Sequence, residues 1–158
     1  PAVLRRVHQF SEARDVPRSS IVTAACALLV RRWSGVSSEV VLDFPVGRRV
    51  HLKSKTLPGM VSGIVPLVLD ARPGATVTEF CEHVDGRIGE ALRHQRFPVQ
   101  DLERRAHARD PGQPSGRVNV NFIPSVFTLQ FGGVAASASY TGSGQVAGFG
   151  LFLGGAGA

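Results

Sequence analysis

Cysteine is scarce: the 158 residues hold two, Cys26 and Cys81. Two isolated thiols can build neither a disulfide framework nor a zinc site. Both fall in expected helices among apolar neighbours, which predicts two buried free thiols. Lysine is nearly absent as well, with Lys53 and Lys55 alone, so arginine carries the net charge of +6. The arginines come as scattered pairs, Arg5-Arg6, Arg31-Arg32, Arg48-Arg49 and Arg104-Arg105. They form no single helix face and are not interleaved with aromatics, so nucleic acid is not an expected partner. No apolar run is long enough to span a bilayer, and no membrane partner is expected. No basic segment followed by an apolar one opens the chain; no signal peptide is expected, and the cytoplasm is the expected compartment. Nucleophile elbows, phosphate loops and Cys/His/Asp arrangements are missing too.

What is present suits a globular α/β chain, with 43% hydrophobic and 19% charged residues. The length allows one domain with a real core. The start at Pro1 suggests a piece of something longer. Residues 3–14 predict a short amphipathic helix, closed by the turn Asp15-Val16-Pro17 because a residue before proline avoids helical angles. A second helix is expected from a cap at Ser19 or Ser20 to about Trp33. Its run from Ile21 to Val30 is apolar nearly all round, so it should be covered on every side. A turn over 34–38, a buried strand at Val40-Val41-Leu42, a long loop over 45–61 and a strand over 64–69 follow. Pro66 donates no ladder hydrogen bond, which places that strand at an edge or bulge.

Thr76 and Glu79 fit a capping box. Val77, Phe80, Cys81, Val84, Ile88, Ala91 and Leu92 then recur at helical spacing over about four turns. After the break at Phe97-Pro98 a short helix is expected to about Ala106, then a loop over 110–116. Val118, Val120 and Phe122 alternate with Asn119 and Asn121, the period of a half-buried strand. Weaker strand signals lie at 126–130, 134–140 and 149–153. The predicted order is α-α-β-loop-β-α-α-β-β-β, a mixed layer protein.

The histidines, His8, His51, His83, His94 and His107, show no metal-ligand spacing, and no metal is expected. His83-Val84-Asp85-Gly86 places a histidine beside a carboxylate and a glycine. All four lie within the helix capped at Thr76, so a solvated helix histidine is the expectation for His83. Residue chemistry alone assigns no catalytic group.

The order of segments carries more. Leu28 to Gly35 followed by Glu39 to Arg49 resembles the helix, Ser-Gly turn, strand and Pro-Val-x-x-Arg segment of the condensation domains of nonribosomal peptide synthetases. Pro58 to Leu67 resembles that family's I-G-x-F-V-N-T-L-P-L segment. His94 to Leu102 resembles H-Q-x-x-P-F-x-x-L, and Arg117 to Phe122 resembles the strand written near P-L-F-Q-V-M-F-N. Two departures stand out: Gly63 replaces the pattern's asparagine, and Arg48 replaces the glycine before the pattern's arginine, leaving Arg49 as the match.

The resemblance implies a chloramphenicol-acetyltransferase-like fold: a mixed-sheet sandwich lobe with helices packed on a β-sheet. It implies that residues 1–158 are a single partial domain, the C-terminal lobe. The family joins carrier-bound aminoacyl and acyl thioesters into amides, with phosphopantetheine arms as substrates and no cofactor bound directly. Its H-H-x-x-x-D-G motif lies in the half preceding the first helix here, and this chain has no two adjacent histidines. The implied catalytic set within this chain is therefore empty, and the chain alone is expected to be inactive. Arg49 is the implied support of the missing motif's aspartate; Ser62 and Gly63 are implied to line the pantetheine tunnel. The implied partners are the N-terminal lobe and the donor and acceptor carrier proteins. Rival readings are a lobe of a carrier-dependent ester-forming acyltransferase, a non-catalytic carrier-docking module, and a remnant without function of its own. Were the chain active alone, His51 would be the first candidate.

Overall fold

The computed structural model describes residues 2–35, 38–48, 58, 61–97, 118–124, 128–137 and 150–155. The elements are α1 (Ala2–Arg14), α2 (Arg18–Ser34), β1 (Glu39–Gly47), β2 (Ser62–Asp70), α3 (Val77–Arg93), β3 (Val118–Pro124), β4 (Thr128–Phe131), β5 (Val134–Ser137) and β6 (Gly150–Gly155). Four strands form a mixed sheet in the order β2-β1-β3-β6, and β4 pairs with β5 in a separate hairpin. The expected short helix from 98 to 106 and the loop over 110–116 lie outside the described residues.

Strand alternation decides which residues make the core. In the antiparallel β1–β2 register Val40 faces Leu69, Leu42 faces Leu67 and Phe44 faces Val65. Side chains two apart share a face. Val40, Leu42, Leu67, Leu69 and Val120 accordingly form one apolar surface, and Ala24, Ala27, Phe80, Cys81, Val84 and Ile88 of α2 and α3 pack on it. The sheet is a layer with helices on that side, as the resemblance implied. Cys26 and Cys81 are buried free thiols. Burial pushes both thiols above their ordinary pKa, with the Glu82 charge adding to the effect at Cys81.

α3 begins as its sequence predicts. Thr76 Oγ1 accepts from the Glu79 backbone N–H at 3.2 Å, and the Glu79 carboxylate accepts from the Thr76 N–H at 2.7 Å. These bonds hold the Glu79 carboxyl below its usual range. Asp15 adopts a left-handed φ of 52° after α1, a conformation short polar side chains tolerate.

The start of α2 differs from expectation. Pro17 is its N-cap residue and no side chain caps it. Ser20 instead donates its hydroxyl to Asp85 Oδ1 of α3 at 2.7 Å, and Thr23 donates to the Ser19 carbonyl at 2.7 Å. The buried interface between two helices had a stronger need for Ser20 than the helix end did. α2 is also not covered on every side: Leu29 is 49% and Trp33 69% exposed, and α1 leaves Val3 74% and Leu4 59% exposed. No described helix is long and apolar enough to cross a membrane.

Two strands are longer than their apolar runs. β1 continues through Pro45, Val46 and Gly47, which the sequence reading placed in a loop, with Pro45 paired to Ile64. Proline fits there because β1 pairs with β3 only at Leu42↔Val118 and Asp43↔Asn119, so no described strand on that side needs its missing N–H. β2 begins at Ser62 and is an edge strand, as Pro66 required.

Ser20→Ala should destabilise the chain by about 1–3 kcal/mol in chemical denaturation, because it strips a hydroxyl from a part-buried carboxylate. Ser19→Ala should stay within about 0.5 kcal/mol. Equal effects would return the cap to Ser19. Native alkylation of Cys26 and Cys81 should be slow near neutral pH and quicken only as the pH rises past ordinary thiol values, since thiolate is the reacting form. Denaturation should abolish that protection.

Candidate functional site

Three of the four resembling segments converge at one end of the sheet. The β1–β2 ladder sets Val46 opposite Gly63 and Gly47 opposite Ser62. The Arg48 N–H extends it by donating to the Val61 carbonyl at 2.9 Å. The third segment arrives on α3, which runs back along β2. The Asp70 N–H donates to His83 Nε2 at 3.3 Å, and Arg87 Nε donates to the Val68 carbonyl at 3.1 Å. Rising numbers on α3 therefore meet falling numbers on β2. From Arg87 to His94 the helix advances about 10 Å, three strand residues at about 3.3 Å each. This brings His94 to about the level of Val65, so His94–Phe97 leave the helix toward the Gly63 end of β2. The fourth segment, β3, runs parallel to β1 and parts from it after Asp43↔Asn119, following β6 from Asn119↔Gly150 onward. The strands thus fork toward the same end.

Polar atoms are left wanting there. Arg48 Nε lies there and Gln95 Oε1 just past the end of α3; both are buried and make no hydrogen bond, as does Asn119 Oδ1, which sits at mid-sheet level with Asp43. Buried polar groups in folded proteins are nearly all paired, so each of these atoms is a point where a further group could bond. A further such atom, Asp70 Oδ1, lies at the opposite end, where Arg72 holds the other carboxylate oxygen at 2.5 Å.

Gly63 is half-buried and Ser62 exposed. A Cβ on Gly63 would fall 2.3 Å from Arg48 Nε, so the open face of the glycine is filled by that arginine. Arg49 and His51 lie outside the described residues. His83 is exposed on α3, yet its ring accepts the Asp70 N–H and stacks on Phe80 with centroids 6.3 Å apart. It serves the β2–α3 contact rather than simply facing water. His94 caps α3 through its backbone. Among the described residues no three His, Cys, Asp or Glu side chains gather as metal ligands.

The sequence reading singled out Gly63 but set Arg48 aside as a departure, and gave no weight to Gln95 or Asn119. The paired departures at 48 and 63 were the available signal; the lack of partners was not visible without the fold. A recess of about 380 Å³ lined by Leu28, Arg31, Arg32 and Gly35 sits at the other end. Among the described residues lining it, none is an acid or base suited to chemistry at neutral pH.

The arrangement offers positioning groups without a general base. A guanidinium and an amide can orient a ligand, but neither takes a proton from an amine near neutral pH.

Residues 1–145 match the family model described as "Condensation domain". The chain is 25% identical over 126 residues to the dimodular nonribosomal peptide synthase of Bacillus subtilis (strain 168), covering 80% of this chain and 5% of that protein. It is 27% identical over 136 residues to the isonitrile lipopeptide synthase of Streptomyces coeruleorubidus, covering 85% of this chain and 9% of that one. Among solved structures, the first condensation domain of the calcium-dependent antibiotic synthetase, in complex with substrate analogue 2a, superposes with a TM-score of 0.76 and 29% identity. The match takes in 94% of this chain and 33% of that chain. The starter condensation domain of rhizomide synthetase matches with a TM-score of 0.62 and 28% identity, over 86% of this chain and 33% of that one. The chain therefore spans about a third of these structures and under a tenth of the two synthetases.

Asn119→Leu tests whether the wanting atoms serve the isolated fold. It should be neutral or slightly stabilising in thermal melts of this chain, since it removes an unsatisfied buried acceptor. A loss above about 2 kcal/mol would mean that Asn119 is held by contacts within the lobe.

Proposed function

The chain belongs to the condensation-domain family, and from that footing we propose that it is the C-terminal lobe of a domain forming amides between carrier-bound thioesters. The observation that carries the reading is the convergence of Pro45–Arg48, Ser62-Gly63 and His94–Phe97 toward one sheet end, where Arg48 Nε and Gln95 Oε1 are buried without partners. That end is half of a site. It supplies a wall and orienting groups, while the proton-handling histidine comes from the lobe that precedes it.

In this mechanism the acceptor amine attacks the donor's acyl thioester. The C–N bond forms, the C–S bond breaks, and the amine proton leaves as the thiol of the donor arm is released. Two thioesters must be held in attacking geometry, which needs walls on both sides. Ser62 and Gly63, with Arg48 overlying the glycine, form part of this lobe's wall. Arg49 braces the aspartate of the histidine motif from across the lobe boundary. Exposed Val3, Leu4, Leu29 and Trp33 suit a lobe built to be covered by neighbouring chain.

The test is complementation with loaded donor and acceptor carrier proteins. This chain alone and the N-terminal half alone should give no amide, and the mixture should give it. Product from this chain alone would refute the reading. Ester formed with hydroxyl acceptors, in place of amide, would assign the chain to the ester-forming branch. Within the mixture, Arg49→Ala should lower turnover by ten-fold or more, because stranding the partner's buried charge costs about 3–5 kcal/mol. Arg48→Ala, which alters the wall but strands no partner charge, should lower turnover less than Arg49→Ala. Equal small effects would remove Arg49 from this role.

A further inference from the structure

The two departures from the family's pattern touch each other. Where the pattern has asparagine this chain has Gly63, and where the pattern has glycine it has Arg48. A Cβ on Gly63 would lie 2.3 Å from Nε, 2.5 Å from Cζ and 2.7 Å from Nη2 of Arg48. The guanidinium therefore occupies the space that a side chain at position 63 would take. At this point of the ladder bulk and polarity come from position 48, and room comes from position 63.

The arrangement changes the chemistry as well as the source. An amide both donates and accepts, whereas a guanidinium only donates and is always charged. Arg48 Nε is buried and makes no hydrogen bond. No carboxylate among the described residues pairs with Arg48. The other wanting atom at this end, Gln95 Oε1, is an acceptor, and it does not bond to Arg48. A half-buried cation with an idle N–H needs an acceptor from outside these residues, and the strong acceptor for a guanidinium fork is an anionic oxygen.

We infer that Arg48, laid across Gly63, is an anion-binding residue that selects a substrate carrying an anionic oxygen to this end of the lobe. The anion is a phosphate on the incoming arm or a carboxylate on the group it carries. The naming of the arm rests on the function proposed above; the anion site itself does not.

The test reads the Arg48 Nε–H signal by nitrogen–proton NMR of this chain, assigned by its loss in Arg48→Lys. The probes are phosphopantetheine, pantetheine and succinyl-pantetheine. A saturable shift with phosphopantetheine, at least ten-fold weaker with pantetheine, assigns a phosphate. A shift confined to succinyl-pantetheine assigns a carboxylate. In either case Gly63→Asn should weaken binding several-fold by displacing the guanidinium, while circular dichroism stays unchanged. No shift with any probe, or an affinity unchanged in Gly63→Asn, would overturn the inference. So would an Nε–H signal that moves on adding the N-terminal half and then ignores all three probes, because the acceptor would then belong to that half. Complementation to amide in the same samples keeps the two readings separate: product without anion binding sinks only the Arg48 assignment, and anion binding without product sinks only the proposed reaction.

Discussion

Everything at the site end depends on the register of one strand pair. β1 and β2 are matched from Glu39↔Asp70 to Gly47↔Ser62 without interruption. The backbone bonds Ala71 N–H to Ser38 O and Arg48 N–H to Val61 O extend the ladder at both ends. A slip of one residue would turn Val40, Leu42, Leu67 and Leu69 away from the helices. It would also carry Arg48 off Gly63. Burial of the core thus fixes the geometry of the site.

The helical layer locks that register from one side. Ser20 of α2 bonds Asp85 of α3, and Arg87 of α3 bonds the Val68 carbonyl of β2. α3 therefore cannot slide along β2 without breaking contacts to both the sheet and its neighbouring helix. The opposite face of the sheet is different in character. Val41, Asp43, Pro45, Pro66, Val68, Asn119 and Asn121 point there by alternation and are all half-buried. Its mixture of apolar and amide groups is that of a surface meeting other chain rather than of a core.

Legibility followed the range of the interaction. The capping box at Thr76 and Glu79 and the strand at β3 are local and stand as read; the apolar stripe of α3 holds at Phe80, Cys81, Val84 and Ile88, while Val77 and Leu92 near its two ends are exposed. Pro66 correctly announced an edge. Ser20 was misread because its partner is 65 residues away, and a capping role was the only local option. The tail of β1 was misread because proline and glycine mean loop unless the neighbouring strand has already departed, which only the fork reveals. The family resemblance identified the segments that form the site end. It did not reveal that Arg48 and Gly63 were one feature, because the ladder that joins them is a property of the fold.

Pro66 has one more consequence. Among the described residues β2 is the rim of the sheet, and its outward side is where another strand could add. Proline removes a donor from that row at mid-strand, opposite Asp43. A visiting strand would find its ladder broken after a few residues. Lateral growth of the sheet is discouraged along this margin, so whatever joins the lobe is steered toward its faces and its ends.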